Sequence, residues 1–203
     1  CAGLMNVQLG LAARGAPGGG GKRTRSGKPG SRPSCKQDDI NALMVSLAKQ
    51  GKRVVRLKGG DPMVFGRAGE EISAARAAGL PIEVVPGISA AQGAASRVAV
   101  SLTHRDHARR LQFITAHARD GKLPVDLDWT ALADKAATTV VYMPQRTWGE
   151  LAGKAMAAGL DPHTPALAVF SATRPEEFRV AATVSTLKDK LAAALADKFG
   201  DAS

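Results

Sequence analysis

Residues 54–62 read Val54-Val55-Arg56-Leu57-Lys58-Gly59-Gly60-Asp61-Pro62, a run with β-branched side chains that stops at two glycines. Such a run predicts a short strand over 54–58 that ends in a turn. A second strand is predicted over 82–85, where Pro86-Gly87 leads into a helix that Ser89 can cap. Strands that alternate with helices predict an α/β architecture with largely parallel sheets.

The same alternation continues on both sides of this region. Ile40, Leu43, Met44 and Leu47 recur at helical spacing and predict an amphipathic helix that ends at Gly51. Further strands are predicted at 111–115, 138–143, 166–172 and 178–183. Further helices are predicted at about 69–78, 89–98, 147–159 and 186–199, with a short helix containing Trp129 and Leu132.

Some of these helices carry recognisable signals. Asp128 can cap the short helix that contains Trp129 and Leu132. Thr147 and Glu150 have the spacing of a capping box at the head of the next helix. The final helix is expected to bury three residues, namely Leu187, Leu191 and Leu195.

The chain is predicted to have three regions. Residues 1–36 form a low-complexity basic segment, 37–106 a first α/β domain and 107–203 a second α/β domain, with the boundary in the polar stretch 103–110. Residues 14–34 are rich in glycine, proline and basic side chains. Such a stretch buries too little apolar surface to offset the entropy of ordering it, so loop or disorder is expected there.

The formal net charge of +10 is concentrated in the basic segment. Residues 1–36 carry seven basic side chains and no acid, which leaves only +3 for the rest of the chain. A solvated basic segment is the favoured interpretation. A nucleic-acid-binding arm is less favoured because the segment has no aromatic residue to stack on bases. Attraction of an anionic substrate is a further alternative.

No apolar run approaches the roughly 20 residues that span a bilayer, and the first residues lack the basic start of a signal peptide. A cytoplasmic location without membrane association is therefore expected. Cys1 and Cys35 make no metal-ligand cluster, and no metal is predicted. A disulfide between them has no support in the sequence.

The ends of the predicted strands are the first candidates for a ligand site, because ligands of open α/β sheets collect there. Gly59 and Gly60 let a ligand approach the backbone closely, and Asp61 adds an acceptor for an amine or hydroxyl. The helix that opens near Ser89 offers free N–H groups that suit a carboxylate or ribose. Each junction, taken alone, is more often a simple turn.

Together with their flanks these motifs resemble one family. The block at 54–62 continues through Val64-Phe65-Gly66-Arg67 and Gly69-Glu70-Glu71, and later come Val84 to Ala91, Leu102 to Arg105, Phe113 to His117 and Val141-Tyr142-Met143. This series resembles the uroporphyrinogen-III C-methyltransferases within the tetrapyrrole methylase family. The resemblance covers the chain from about Gly27 onward.

The resemblance implies a two-domain tetrapyrrole methylase fold that binds S-adenosylmethionine between its domains. It implies methylation of uroporphyrinogen III to precorrin-2, which leads to siroheme and cobalamin, and a homodimer. The implied cofactor contacts are Gly59, Gly60, Asp61, Val64, Ser89, Ala90, Met143 and Ala172. Without the family, Met143 would be interpreted as a core residue.

The substrate of this family carries many carboxylates, and Arg or Lys side chains are the expected partners. Arg67 and Arg105 are the substrate-binding candidates, with Lys58 as a third, and a surface salt bridge is the alternative for each. The family also uses a lysine as an acid, which the resemblance places at Lys28 with Pro29 where arginine is usual. For His104 and His117 two roles stay open, that of a hydrogen-bonding core residue and that of a catalytic residue.

The N-terminal segment departs from the family pattern. The family opens with a strand and a glycine-proline-glycine-aspartate loop. A second strand follows, which carries an aspartate that acts as a base. Residues 1–26 contain no aspartate, and no strand is predicted before their glycine-rich run. We therefore expect an incomplete first domain with an exposed apolar face, whose true first segment is lost or replaced. A catalytically inactive homologue and a nucleic-acid-binding module remain alternative functions.

Overall fold

The computed structural model describes residues 4–8, 36–118, 120–144 and 146–199. The described residues divide into two compact units, one of residues 36–89 and one of residues 4–8 together with those from 90 onward. We call them the helical unit and the sheet unit. This division differs from the predicted boundary near 106, because the helix that begins at Ala90 belongs with the sheet. Lys28 lies outside the described residues.

The helical unit contains two helices, α1 at Gln37–Lys49 and α2 at Ala68–Ala77. Both were predicted and are present, α1 from its apolar spacing and α2 from the turn before it and the glycine that follows it. α2 packs on α1, and Ile40 and Ala75 are buried. Gly79, which follows α2, has a φ of +68° that glycine adopts without strain.

The strands predicted at 54–58 and 82–85 are wrong, because no residue from 36 to 89 lies in a strand. Val55, Leu57 and Val85 are each about 70% exposed. With parts of α1 and α2 these segments line an apolar groove of about 1030 Å³. β-branched composition favours extended backbone, but a strand also needs a hydrogen-bonded neighbour, which the described residues of this unit do not supply.

The sheet unit contains a five-stranded sheet in the order β2-β3-β1-β4-β5. Its strands are β1 at Leu4–Gln8, β2 at Arg110–Thr115, β3 at Ala137–Tyr142, β4 at Pro165–Phe170 and β5 at Phe178–Thr183. The first four are parallel, and β5 runs antiparallel to β4. Four strands match the predicted positions. The expectation that no strand precedes the glycine-rich run is wrong, because β1 forms the centre of the sheet.

Four helices accompany the sheet: α3 at Ala90–Val98, α4 at Trp129–Leu132, α5 at Trp148–Ala157 and α6 at Leu187–Phe199. Asp128 caps α4 as predicted, since its carboxylate accepts from Ala131 N at 3.0 Å. The predicted capping box of α5 is absent. The Thr147 hydroxyl instead donates to the carbonyl of Ala116 at 2.6 Å, which connects the helix to the segment after β2.

The hydrophobic core lies against this sheet. Every residue of β3 is buried, which is typical of a parallel strand covered on both faces. Leu151 of α5 and Leu187 of α6 are almost fully buried, whereas Leu191 is half-buried. No helix in the described ranges is both long and apolar enough to cross a membrane.

Candidate functional site

Strained backbone marks the segments that the sequence singled out. Six non-glycine residues in the described part of the chain have positive φ, and four of them are, or directly adjoin, a predicted cofactor contact. Such conformations cost about 1–3 kcal/mol each and collect at ligand sites. The six are Phe65, Arg67, Ala99, Met143, Ser171 and Thr173.

Asp61 holds two turns of the helical unit together. Its Oδ1 accepts from Met63 N at 2.8 Å, and its Oδ2 accepts from Gly87 N at 3.0 Å. These two backbone hydrogen bonds lower the pKa of Asp61 below its ordinary value. Each carboxylate oxygen keeps a further lone pair, so the side chain can organise the turn and still accept from a ligand.

The two turns lie in very close contact. A Cβ at Gly87 would lie 2.8 Å from the carbonyl oxygen of Gly60, and one at Gly66 would lie 2.5 Å from that of Pro62. Gly60 itself has a φ of +94°. The glycines are therefore required by the shape of the turns, and Val64 N donates to Asp61 O at 3.4 Å within the same motif.

Lys58 belongs to a buried network and does not reach out as a substrate clamp. Its ammonium lies 2.8 Å from Glu71 Oε2 and also donates to the carbonyl of Gly66. Arg56 and Gln37 each donate to Glu71 Oε1 at 3.1 Å. Burial alone would raise the pKa of Glu71, but the hydrogen bonds from Lys58 and Gln37 and the positive charges outweigh it and lower the pKa. The network connects the segment before Gly59 to α1 and α2.

The two arginine candidates differ in their surroundings. Arg67 forms a bidentate pair with Glu70, with Nε–Oε1 at 2.6 Å and Nη2–Oε2 at 2.7 Å, and this hydrogen bonding raises the pKa of Arg67. Arg105 is exposed in a turn closed by mutual backbone hydrogen bonds between His104 and Ala108. Arg105 is therefore the more available cation for an anionic ligand.

The carboxyl ends of β3 and β4 carry the candidates of the sheet unit. Met143 directly follows β3 with a φ of +56° and 43% exposure, so its interpretation as a core residue is wrong. Ala172 follows β4 and is buried between Ser171 and Thr173, whose φ values are +50° and +67°. Both stand where parallel sheets bind ligands.

α3 begins with small buried residues next to these strand ends. Ala90 is 7% exposed and Ala91 is fully buried, and Ala91 N donates to the hydroxyl of Tyr142 at 3.2 Å. Ser89, the predicted cap, is 4% exposed. The sheet unit thus brings Ala90 close to Tyr142, the residue before Met143.

The sequence assigned no role to two residues of the site. Tyr142, the only tyrosine of the chain, holds the start of α3 to the end of β3. Glu177 accepts from Thr173 N at 2.7 Å and pairs with Arg97 and Arg179. Tyr142 lies in the quoted motif Val141-Tyr142-Met143, but its role depends on Ala91, which lies 51 residues away in the chain. The role of Glu177 depends on Arg97, which lies 80 residues away.

The two candidate histidines are exposed in different ways. His104 stacks on His107 with 4.7 Å between ring centroids, and His104 Nδ1 accepts from Asp106 N. His117 is exposed after β2. Both observations disfavour the core interpretation. Among the residues with described positions, no group of three His, Cys, Asp or Glu side chains could hold a metal ion.

Comparison with known proteins assigns the chain to a family. A family model described as Tetrapyrrole (Corrin/Porphyrin) Methylases matches residues 11–188. The match begins earlier than Gly27, where the sequence resemblance was expected to start. The siroheme synthase of Methylococcus capsulatus is 45% identical over 184 residues, which is 91% of this chain and 38% of that relative. The chain therefore spans well under half the length of this curated relative.

Solved structures give the same result. A uroporphyrin-III C-methyltransferase from Thermus thermophilus, in complex with S-adenosylhomocysteine, is 37% identical with a TM-score of 0.65, over 75% of this chain and 66% of that one. A cobalt precorrin-4 methyltransferase is 26% identical with a TM-score of 0.69, over 79% of this chain and 66% of that one. The α/β fold expected from the resemblance is thus confirmed.

Proposed function

The chain belongs to the tetrapyrrole methylase family, and from this membership we propose that it binds S-adenosylmethionine and methylates a tetrapyrrole. The specific reaction proposed is the methylation of uroporphyrinogen III to precorrin-2, on the route to siroheme and cobalamin. The similarity of this chain to the uroporphyrin-III C-methyltransferase of Thermus thermophilus supports this choice.

The observation that carries the proposal is the strained backbone at the predicted cofactor segments. Met143, Ser171 and Thr173 hold positive φ at the carboxyl ends of β3 and β4, although none of them is glycine. Strain of this kind persists only where the surroundings over-determine it, and it clusters at ligand clamps.

The residues present fit S-adenosylmethionine. Gly59 and Gly60 leave backbone groups open to a nucleoside, and Asp61 retains lone pairs for a hydroxyl or amine. Ala90 and Ala172 leave room beside the strand ends, and Met143 offers a flexible apolar side chain. When bound, the cofactor supplies an electrophilic sulfonium methyl group.

The chain's own residues have two further proposed roles. Arg105 is exposed and would pair with a carboxylate of the substrate, whereas Arg67 would first have to leave Glu70. Lys28 is proposed as the acid on the basis of the family resemblance alone. The reaction itself needs mainly positioning and exclusion of water around the reacting carbon. A homodimer is proposed on the same family grounds.

The first test is a calorimetric titration of the purified chain with S-adenosylhomocysteine. Micromolar binding that is lost in Asp61→Ala is expected, because this variant releases both turns from each other. Asp161→Ala is the matched control, since Asp161 makes the same type of backbone hydrogen bond, to His163 N at 2.8 Å, before the opposite end of β4. Absence of binding by folded wild-type protein would contradict the proposal.

A methylation assay with uroporphyrinogen III then separates the enzyme from an inactive homologue. Formation of a methylated product supports the proposed reaction. Cofactor binding without any methyl transfer would identify a homologue that keeps the fold and the cofactor site alone.

A further inference from the structure

The loop between β4 and β5 has an unusual backbone for its sequence. Ser171 and Thr173 both adopt positive φ on either side of Ala172, and neither is a glycine or asparagine. Two such residues so close together would relax in an isolated loop. Interactions beyond the local backbone preferences of these two residues must therefore hold them in place.

The side chain of Glu177, the last residue of this loop, adds contacts to the backbone hydrogen bonds from Arg174 N to Ser171 O and from Glu177 N to Arg174 O, both 3.0 Å. It is only 6% exposed, and its Oε2 accepts from the backbone N of Thr173 at 2.7 Å. The same oxygen accepts from Arg97 Nε of α3 at 3.3 Å, and Oε1 accepts from Arg179 Nε of β5 at 2.6 Å. One carboxylate thus joins the loop, a helix and a strand of the sheet unit.

α3 is in close contact with the same loop at a second point. A Cβ at Gly93 would lie 3.1 Å from the Thr173 methyl group, so the lack of a side chain at this position of α3 lets the loop pack closely on the helix. Because Ala90 stands at the start of this helix, its position and that of Ala172 depend on the same contacts.

We propose that Glu177 is a positioning residue for the cofactor, because it fixes the loop around Ala172 against α3 in the shape that binds S-adenosylmethionine. This inference rests on the proposed function. Glu177 itself need not touch the ligand. The backbone hydrogen bond from Thr173 and the contact with Arg179 lower the pKa of Glu177 against the effect of burial, so the carboxylate is ionised at neutral pH.

The test compares three variants by calorimetric titration with S-adenosylhomocysteine. In Glu177→Ala the affinity is expected to fall about tenfold or more, since Thr173 N loses its acceptor and the strained loop relaxes. Glu177→Gln keeps one acceptor oxygen for Thr173 and should recover part of the affinity. Glu176→Ala is the control for charge, because Glu176 is the exposed neighbour.

Amide hydrogen exchange of the ligand-free proteins provides the second measurement. The loop containing Ser171 to Thr173 should exchange faster in Glu177→Ala than in the wild type and in Glu176→Ala. A Glu177→Ala variant with wild-type affinity overturns the proposal, and so does loss of affinity without faster exchange in this loop. If the wild-type chain itself binds no ligand, the proposed function fails and the positioning role fails with it.

Discussion

Replacing Gly87 by alanine would force apart the two turns that carry the first half of the candidate site. The added Cβ would lie 2.8 Å from the carbonyl oxygen of Gly60 and 3.2 Å from its carbonyl carbon. Both are backbone atoms, so no side-chain rotation relieves the contact. Overpacking of this kind costs about 1–3 kcal/mol, and we expect the free energy of unfolding to fall by that amount. The hydrogen bond from Gly87 N to Asp61 would also lengthen.

Urea denaturation measures the change in stability, and titration with S-adenosylhomocysteine measures the change in affinity. An affinity loss of about tenfold corresponds to about 1.4 kcal/mol and is expected from the displaced turn. Gly69→Ala is the control, because no atom lies within 4 Å of its added Cβ and α2 should gain about 0.5–1 kcal/mol. Wild-type stability and affinity in Gly87→Ala would refute the assignment of this contact to the site.

Three further perturbations test other parts of the molecule. The pKa of Glu71 is lowered in the folded protein, so ionised Glu71 stabilises the fold. This stabilisation is fully present above pH 4.5, the ordinary pKa of glutamate, and is lost as the pH falls through the lowered pKa. Glu71→Gln should therefore destabilise the protein at neutral pH and much less in acid, as measured by urea denaturation at both pH values. Thr147→Val should lower the free energy of unfolding by about 1–2 kcal/mol because it leaves the buried Ala116 carbonyl without its donor, whereas Thr147→Ser should be near wild type. Asn6→Pro should lower the free energy of unfolding by at least about 1–3 kcal/mol, because β1 is paired on both sides and proline removes a ladder donor, which leaves a backbone acceptor unpaired. A wild-type melting temperature would contradict the central position of β1.

Much of the fold was predictable from local patterns. The strands β2 to β5 have apolar, β-branched runs bounded by turn residues, and α1 and α2 have apolar residues at helical spacing. Asp128 was predicted to cap α4 because a cap depends only on residues three positions apart. These features depend on interactions within a few residues, which the order of the amino acids specifies directly.

The strand content of the helical unit and the position of β1 were not predictable in this way. Residues 54–58 have a stronger β pattern than Leu4–Gln8, yet only the latter lie in a sheet. The difference comes from the partners, since β1 lies between β3 and β4 and receives hydrogen bonds on both sides. Strand formation depends on a neighbour that is distant in the chain, and propensity carries no information about that neighbour.

The candidate site was likewise predictable from the sequence only in part. The positions of its residues were recognisable from Gly59-Gly60-Asp61 and from the residues after each strand, because local sequence patterns indicate glycine turns and strand ends. The contacts that hold those residues in place were not recognisable from the sequence. Asp61 accepts from Gly87, Tyr142 from Ala91 and Glu177 from Arg97, across 26, 51 and 80 residues of chain. A side-chain hydrogen bond across such separations exists only once the folded backbone has brought donor and acceptor within about 3 Å.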